Sequence, residues 1–464
     1  MTRAVSVPLV ALALALAWPS SSSARRQPTP GGKMTVALPP ELVEPTLQAH
    51  THAPLVQPLA APDAASLLAH PPLEGAPGWS SSVLADLTAE DEHRVWRLVP
   101  KPGMARAVAG SVERCLLAED IDPPPWPSAV LRAVGVRPVV KSAGNDVLLA
   151  FERSVGPVPE LLAGCLVYAD GAGPTGAYAE VAPAVLAGRQ GSPGGPPLID
   201  VVELRPLGGH ADLIAGSPTG PSSNTFLAPI PDVVLLLQSA RARAQDPFGL
   251  AGEGGTAGFR SGLGAELLLA VYWEGLGRPA EGVLPPRIAP ARPLPRTSPV
   301  DLPSPLALLP LPDKAPRLSI RVPPADVLLD GIRDRLAVLL RARGLGIRVL
   351  PDDGRPLVEG TELLRWRPDT TDPALALLSL AGSRPALKAA LPEERLKDPR
   401  LLSVSFEERL EGALALERAW IEARAIVPLM TAERWFAVHP ALRSVKIRPD
   451  GVPLLDDAYW GDAR

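Results

Sequence analysis

The residues of this chain that carry chemistry are few and mostly scattered. Of six histidines only His50-x-His52 is a close pair. Two imidazoles can begin a metal site, but no further Cys or His follows closely and an extended backbone would splay them. Solvated polar residues in a Pro-flanked loop are the plainer reading. Asp352-Asp353 and Asp456-Asp457 sit beside turn residues, where solvated turns explain them better than acid–base work. Gly252-x-Gly254 lies in a glycine-rich tract with no helix directly after it, so a phosphate cradle is not expected there. The chain has no CxxC, HExxH, G-x-S-x-G, S-x-x-K or Walker A pattern, and no catalytic residue, metal site or cofactor is expected. Cys115 and Cys165, each in an apolar stretch, either pair with one another or stay as two separately buried thiols. The densest arrangement is Trp366-Arg367-Pro368-Asp369-Thr370-Thr371-Asp372-Pro373, which sets two carboxylates between prolines just after Leu363-Leu364.

The elements around that segment read as alternating strands and helices. Lys33–Leu38 is a strand candidate stopped by Pro39-Pro40, and 63–68 begins a helix. Residues 79–87 and 95–99 form an extended pair around a polar turn at Glu90-Asp91-Glu92. Helical signals at 111–118 and 128–134 are separated by Pro123-Pro124-Pro125, which no helix crosses. Strands are expected at 146–152 and 198–204, and a helix at 159–166. Residues 249–264 are Gly-rich and 285–316 Pro-rich, reading as a loop and a meandering connection. Arg317–Val322 alternates as a strand, and Pro323-Pro324 open a helix in which Leu328, Ile332, Leu336 and Leu340 recur every four residues. Gly344 caps it and Gly346–Leu350 returns as a strand, so this βαβ unit predicts a parallel pair. Ser405 and Glu408 form a capping-box pair opening a helix to about Arg424, followed by a strand at 425–430.

Composition narrows the class. Among 464 residues there are 58 prolines, 7 lysines and 39 arginines, a bias in keeping with GC-rich coding, and glycine has no three-residue period. Charged residues are 21% and net charge is −4, which excludes a highly charged disordered chain and offers nucleic acid or an anionic membrane no attraction. Residues 1–24 read as an export signal: Arg3, an apolar run from Val5 to Trp18, and small residues at Ser22-Ser23-Ala24. No cysteine near the cleavage point offers a lipid anchor, and no later stretch is long and apolar enough to span a bilayer.

The segment at 366–373 resembles the W-x-x-D-Y-x-D-P stretch of the bacterial family 5 extracellular solute-binding proteins, the periplasmic peptide and nickel receptors of ABC importers. Shorter likenesses extend it through most of the chain. Gly32–Leu38 resembles the family's opening G-G-x-L-x-V strand, Glu44-Pro45 its D-P, and Asp63–Ser66 its D-A-x-S. Val83–Leu87 is similar to P-x-L-A-E-S-W, Val95–Leu98 to Y-T-F-x-L, Ala425–Leu429 to I-I-P-L and Leu454–Trp460 to L-x-x-W. Arg317–Leu350 resembles the family's strand–helix–strand with a G-I-x-V return. The chain departs from the pattern where the strand after Leu98 is cut short, around 240–245, and at Thr370, which replaces the family's Tyr.

The resemblance implies an α/β, two-lobed periplasmic-binding-protein-like (type II) fold with mixed sheets and an inter-lobe cleft. Lobe I would span 25–250, completed by 435–464; 251–314 would connect; lobe II would span 315–434. It further implies a periplasmic monomer that captures a small solute, first of all a peptide, for an inner-membrane ABC permease. Asp369 would hold the ligand's α-ammonium, with Trp366 and Thr370 beside it and Leu38, Pro39, Pro40 and Glu41 approaching from the other lobe. A charge-assisted bond to a shielded ammonium suits a carboxylate and rejects an acetylated N-terminus. The nickel branch would instead need His50, His52, His70 or His439 to converge on the cleft, and a non-transporting sensor or assembly partner is the remaining alternative.

Overall fold

The computed structural model describes residues 31–59, 72–118, 124–168, 174–192, 196–207, 213–216, 225–227, 230–251, 277–289, 315–323, 326–342, 344–350, 360–432 and 435–461, with 259, 263 and 357 as single positions. The export signal, the helix expected at 63–68, His70 and Asp352-Asp353 lie outside the described residues.

Two mixed sheets carry the two lobes. The first has the strand order β13-β20-β12-β1-β11-β10-β9, built from β1 (Lys33–Leu38), β9 (Tyr178–Ala182), β10 (Val185–Gly188), β11 (Val201–Pro206), β12 (Leu213–Gly216), β13 (Thr225–Leu227) and β20 (Trp435–Val438). β1 pairs in parallel with β11 and β12, and the other neighbours are antiparallel. Met34, Val36 and Leu38 alternate onto one face of β1 and are fully buried, the two-residue period that sheets require. Helix α1 (Pro40–Thr51) follows directly, with Pro at its first position where no backbone N–H is needed.

The second sheet has the order β15-β19-β14-β18-β16-β17, from β14 (Asp232–Gln238), β15 (Gly277–Pro279), β16 (Arg317–Arg321), β17 (Gly346–Leu350), β18 (Thr361–Trp366) and β19 (Ile426–Ala432). The parallel β16–β17 pair confirms the predicted βαβ unit. Its helix, Val327–Arg341, starts later than Pro323-Pro324 suggest. Asp326 is the N-cap, its carboxylate accepting from Leu328 N and Leu329 N at 3.1 Å, and a capping carboxylate sets the start more firmly than proline alone. Leu328, Ile332, Leu336 and Leu340 are all buried. Central strands β14 and β19 are buried at every position, because both sheet faces are covered.

Between α1 and β9 the chain builds a third body. Strands β5 (Leu84–Glu90), β6 (Val95–Pro100), β7 (Val139–Ala143) and β8 (Asp146–Ala150) form an antiparallel sheet, joined by α2 (Ala105–Leu116), α3 (Trp126–Val134) and α4 (Val158–Ala163). Its core is continuous with α7 (Pro373–Ser383), α8 (Phe406–Glu422) and one face of the second sheet, through Val233, Leu235, Leu237, Leu364 and Trp366. Helix α7 is buried along Pro373–Ala381, as a helix enclosed on all sides must be. A Cβ on Gly382 would stand 2.1 Å from the Ala129 carbonyl oxygen of α3, so glycine is what permits this contact.

The boundaries expected from sequence need correction. β14 belongs to the second sheet, so lobe I does not run to 250, and the described core residues between Ala53 and Val167 share the core of lobe II instead of lobe I. Inside the expected 251–314 connection, β15 pairs with β19, and Ala280, Val283, Leu284, Ile288 and Ala289 pack into the large core. Composition marked that stretch as loop because proline hides its burial pattern. Cys115 and Cys165 are joined in a disulfide with Cα atoms 5.5 Å apart, which settles the open alternative and ties α2 to the segment after α4.

Candidate functional site

A cavity of about 480 Å³ lies where all three bodies meet. The third body contributes Trp79, Trp126, Glu160 and Leu166. Lobe II contributes Asp369, Thr370, Thr371 and Asp372 with Phe406 and Arg409. Lobe I contributes Ala49 of α1 and the C-terminal segment through Lys446, Arg448, Asp456 and Asp457.

The acidic loop is fixed at both ends. β18 finishes at Trp366, whose indole is only 6% exposed and packs in the large core. Asp372 caps α7, its Oδ1 accepting from Ala374 N at 3.1 Å and Leu375 N at 3.0 Å. Between these anchors, Thr370 Oγ1 accepts from Asp372 N at 3.2 Å, and Ser379 Oγ donates to Asp369 Oδ2 at 2.6 Å. Among the described residues no cation lies within ion-pair distance of Asp369. Its carboxyl is pushed up to about 6, chiefly by burial and further by the nearby Asp450, against the Ser379 hydrogen bond and the charges of Arg448 and Arg367.

The other charges around the cavity are paired. Arg409 Nε donates to Asp372 Oδ2 at 2.7 Å, its Nη1 to the carbonyls of Ser403 and Val404 at 2.8 and 2.9 Å, and its Nη2 to Glu160 Oε1 at 3.4 Å. Burial raises the Glu160 carboxyl above the ordinary range. Lys446 meets Asp457 at 2.8 Å and Arg448 meets Asp450 at 2.7 Å. The fully buried His50 spans Asp456 Oδ1 at 3.0 Å and the Pro453 carbonyl at 2.9 Å, pinning the C-terminal segment to α1.

Of the site residues expected from sequence, Asp369 and Thr370 line the cavity and Trp366, Leu38, Pro39, Pro40 and Glu41 do not. Leu38 is fully buried in the lobe I core, because it shares the inward face of β1 with Met34 and Val36. Glu41 begins α1 and Ala49 lines the cavity near its end, about 12 Å further along at 1.5 Å per residue. The approach from lobe I is therefore made by the end of α1 and by 446–457. Asp456 and Asp457 sit in a partly exposed turn, as expected, and in addition line the cavity, held by His50 and Lys446. Glu160, Arg409 and the two tryptophans carried no local signal, since each reaches the cavity only through packing of distant segments. His52 meets the Tyr168 ring at a tilt with centroids 4.3 Å apart and His439 meets Trp460 edge-on at 5.4 Å, and with His50 in the core none of the three lines the cavity. Among the described residues no three metal-ligating side chains are grouped.

No family model and no curated protein sequence matches the chain. Solved structures do. A peptide-complexed DppA, an ABC transporter-associated periplasmic binding protein from Helicobacter pylori, is 13% identical, with a TM-score of 0.66 over 95% of this chain and 100% of that one. A dipeptide-binding protein from Pseudoalteromonas sp. SM9913 in complex with Met-Leu is 13% identical, with a TM-score of 0.65 over 92% and 100%. NikA from Staphylococcus aureus in complex with Ni(L-His)2 is 11% identical, with a TM-score of 0.64 over 92% and 99%. Near-complete coverage in both directions, two mixed sheets and a cavity between them give this chain the two-lobed α/β fold of the periplasmic binding proteins.

Proposed function

We propose that the protein is an exported solute-binding protein that captures a small amine-bearing solute, first of all a short peptide, and presents it to an ABC import permease. The observation that carries this reading is Asp369, a part-buried carboxylate that lines the inter-lobe cavity and is partnered by a neutral hydroxyl. In a site shielded from water such a group gains most from an ammonium placed against it. Capture follows from differential binding: only when the lobes are together do Asp369 and the Asp456 wall meet the same solute, so ligand favours the closed arrangement. The cavity volume fits a small molecule. Peptide and nickel-chelate complexes among proteins of the same fold support solute capture as the task, and the export signal expected at 1–24 supports a periplasmic location.

The test is native mass spectrometry on mature protein taken from a bacterial periplasm without refolding, beside Asp369→Ala. Bound amines or peptides retained by the parent and lost in the variant are expected. Empty protein in both, with no thermal shift on adding a mixture of peptides and their C-terminal amides, would leave a retained fold with another task.

A further inference from the structure

We infer that the cavity selects a cationic amine that carries no acidic group, such as a C-terminally amidated short peptide or an arylalkylamine. The inference rests on the reading that Asp369 meets the ligand's amine. It follows from what the cavity's own cations are already doing.

Among the described residues three basic side chains line the cavity, Arg409, Lys446 and Arg448, and each is engaged by protein acceptors. Arg409 is used at Nε, Nη1 and Nη2 by two carboxylates and two carbonyls, and its side chain is only 6% exposed. Lys446 belongs to Asp457 and Arg448 to Asp450. The remaining natural anion site, the N-terminus of α7, is filled by the Asp372 carboxylate on Ala374 N and Leu375 N. Against these three cations stand, among the described residues, five lining carboxylates: Glu160, Asp369, Asp372, Asp456 and Asp457.

A ligand carboxylate would therefore enter a site with an excess of negative charge. It would have to share a cation with the carboxylate already on it or remain unpaired, and in a site with this excess of negative charge both discriminate against it. An amide terminus faces neither penalty. The apolar lining from Trp79, Leu166, Phe406 and Ile447 matches an aliphatic or aromatic ligand body.

The experiment offers the protein, stripped of endogenous ligand, an equimolar library of dipeptides, their C-terminal amides and the N-acetylated amides, and counts retained species by mass. Amides are expected to exceed the matching free acids by tenfold or more at pH 7.5. In Asp457→Asn, which releases Lys446, that ratio is expected to fall by about an order of magnitude. Free acids retained as well as amides, or better, would overturn the inference while leaving the amine reading intact. N-acetylated amides retained equally would overturn the amine reading and the inference with it, as would retention of nothing.

Discussion

Asp369→Asn separates the cost of burying this carboxylate from its use. In the folded protein the group titrates at about 6 instead of 3.8. Between those values the folded protein holds a proton that the unfolded chain releases, so stability falls as pH rises through the window from about 4 to 6. At about 1.4 kcal/mol per pKa unit, the difference sets an upper bound of about 3 kcal/mol on the destabilisation by ionised Asp369 at neutral pH. Asparagine removes that charge and still accepts from Ser379 Oγ through its side-chain oxygen. The ligand-free variant should be more stable than the parent at pH 7.5, by roughly 1–3 kcal/mol or a few degrees in Tm, and equal to it at pH 3.5. Glu160, also raised by burial, is common to both proteins and cancels in the difference. The assay is denaturant unfolding of both proteins at half-unit pH steps from 3.5 to 7.5. A variant no more stable at pH 7.5, or one whose stability falls with pH between 4 and 6 as steeply as the parent's, would refute the reasoning. The same carboxylate predicts that amine affinity drops about tenfold per pH unit below 6, since binding requires the ionised form, and calorimetry over that range measures it.

Three other perturbations probe the frame around the site. Arg409→Met leaves Asp372 and Glu160 without their cation in a buried setting and should cost about 3–5 kcal/mol by denaturant unfolding, with an increase in the apparent pKa of Glu160. Replacing Cys115 and Cys165 by serine opens a loop with a sequence separation of 50, and chain entropy gives a loss of about 4 kcal/mol, measured in denaturant against the oxidised parent. Gly382→Ala places a Cβ against the Ala129 carbonyl, so α3 and α7 must separate; a loss of more than about 1 kcal/mol is expected, and an unchanged unfolding midpoint would mean that the two helices are not held so closely.

Local signals read the elements well. The four-residue recurrence of leucine and isoleucine at 328–340, the Ser405 cap of α8 and the polar turn at 90–92 each depend on neighbours in sequence, and each occurs in the structure near its expected place. The resemblance at 366–373 singled out Asp369 and Thr370, both cavity residues. It also suggested Trp366, which β18 turns into the core, because strand alternation and not proximity in sequence decides which face a side chain takes. The Gly- and Pro-rich composition of the 251–314 connection concealed a buried segment at 280–289 whose backbone Val283 N and Leu284 N are satisfied by Glu417, a partner more than a hundred residues away.

Taken alone, the chain's order of residues determined many of its strands and helices, among them the parallel β16–β17 unit, and the acidic loop after β18, all products of short-range periodicity, capping and proline placement, but not α1, α7 or β14. It left the pairing of Cys115 with Cys165 open and assigned β14 to the wrong lobe, because strand neighbours and disulfides join positions far apart in the chain. Tertiary structure alone decided that Asp456 is held by His50 across 406 residues, that Arg409 is committed to Asp372 and Glu160, and hence which charges in the cavity remain for a ligand. The physical reason is that a site's electrostatic balance depends on which groups are already paired, and pairing is a property of distances in space.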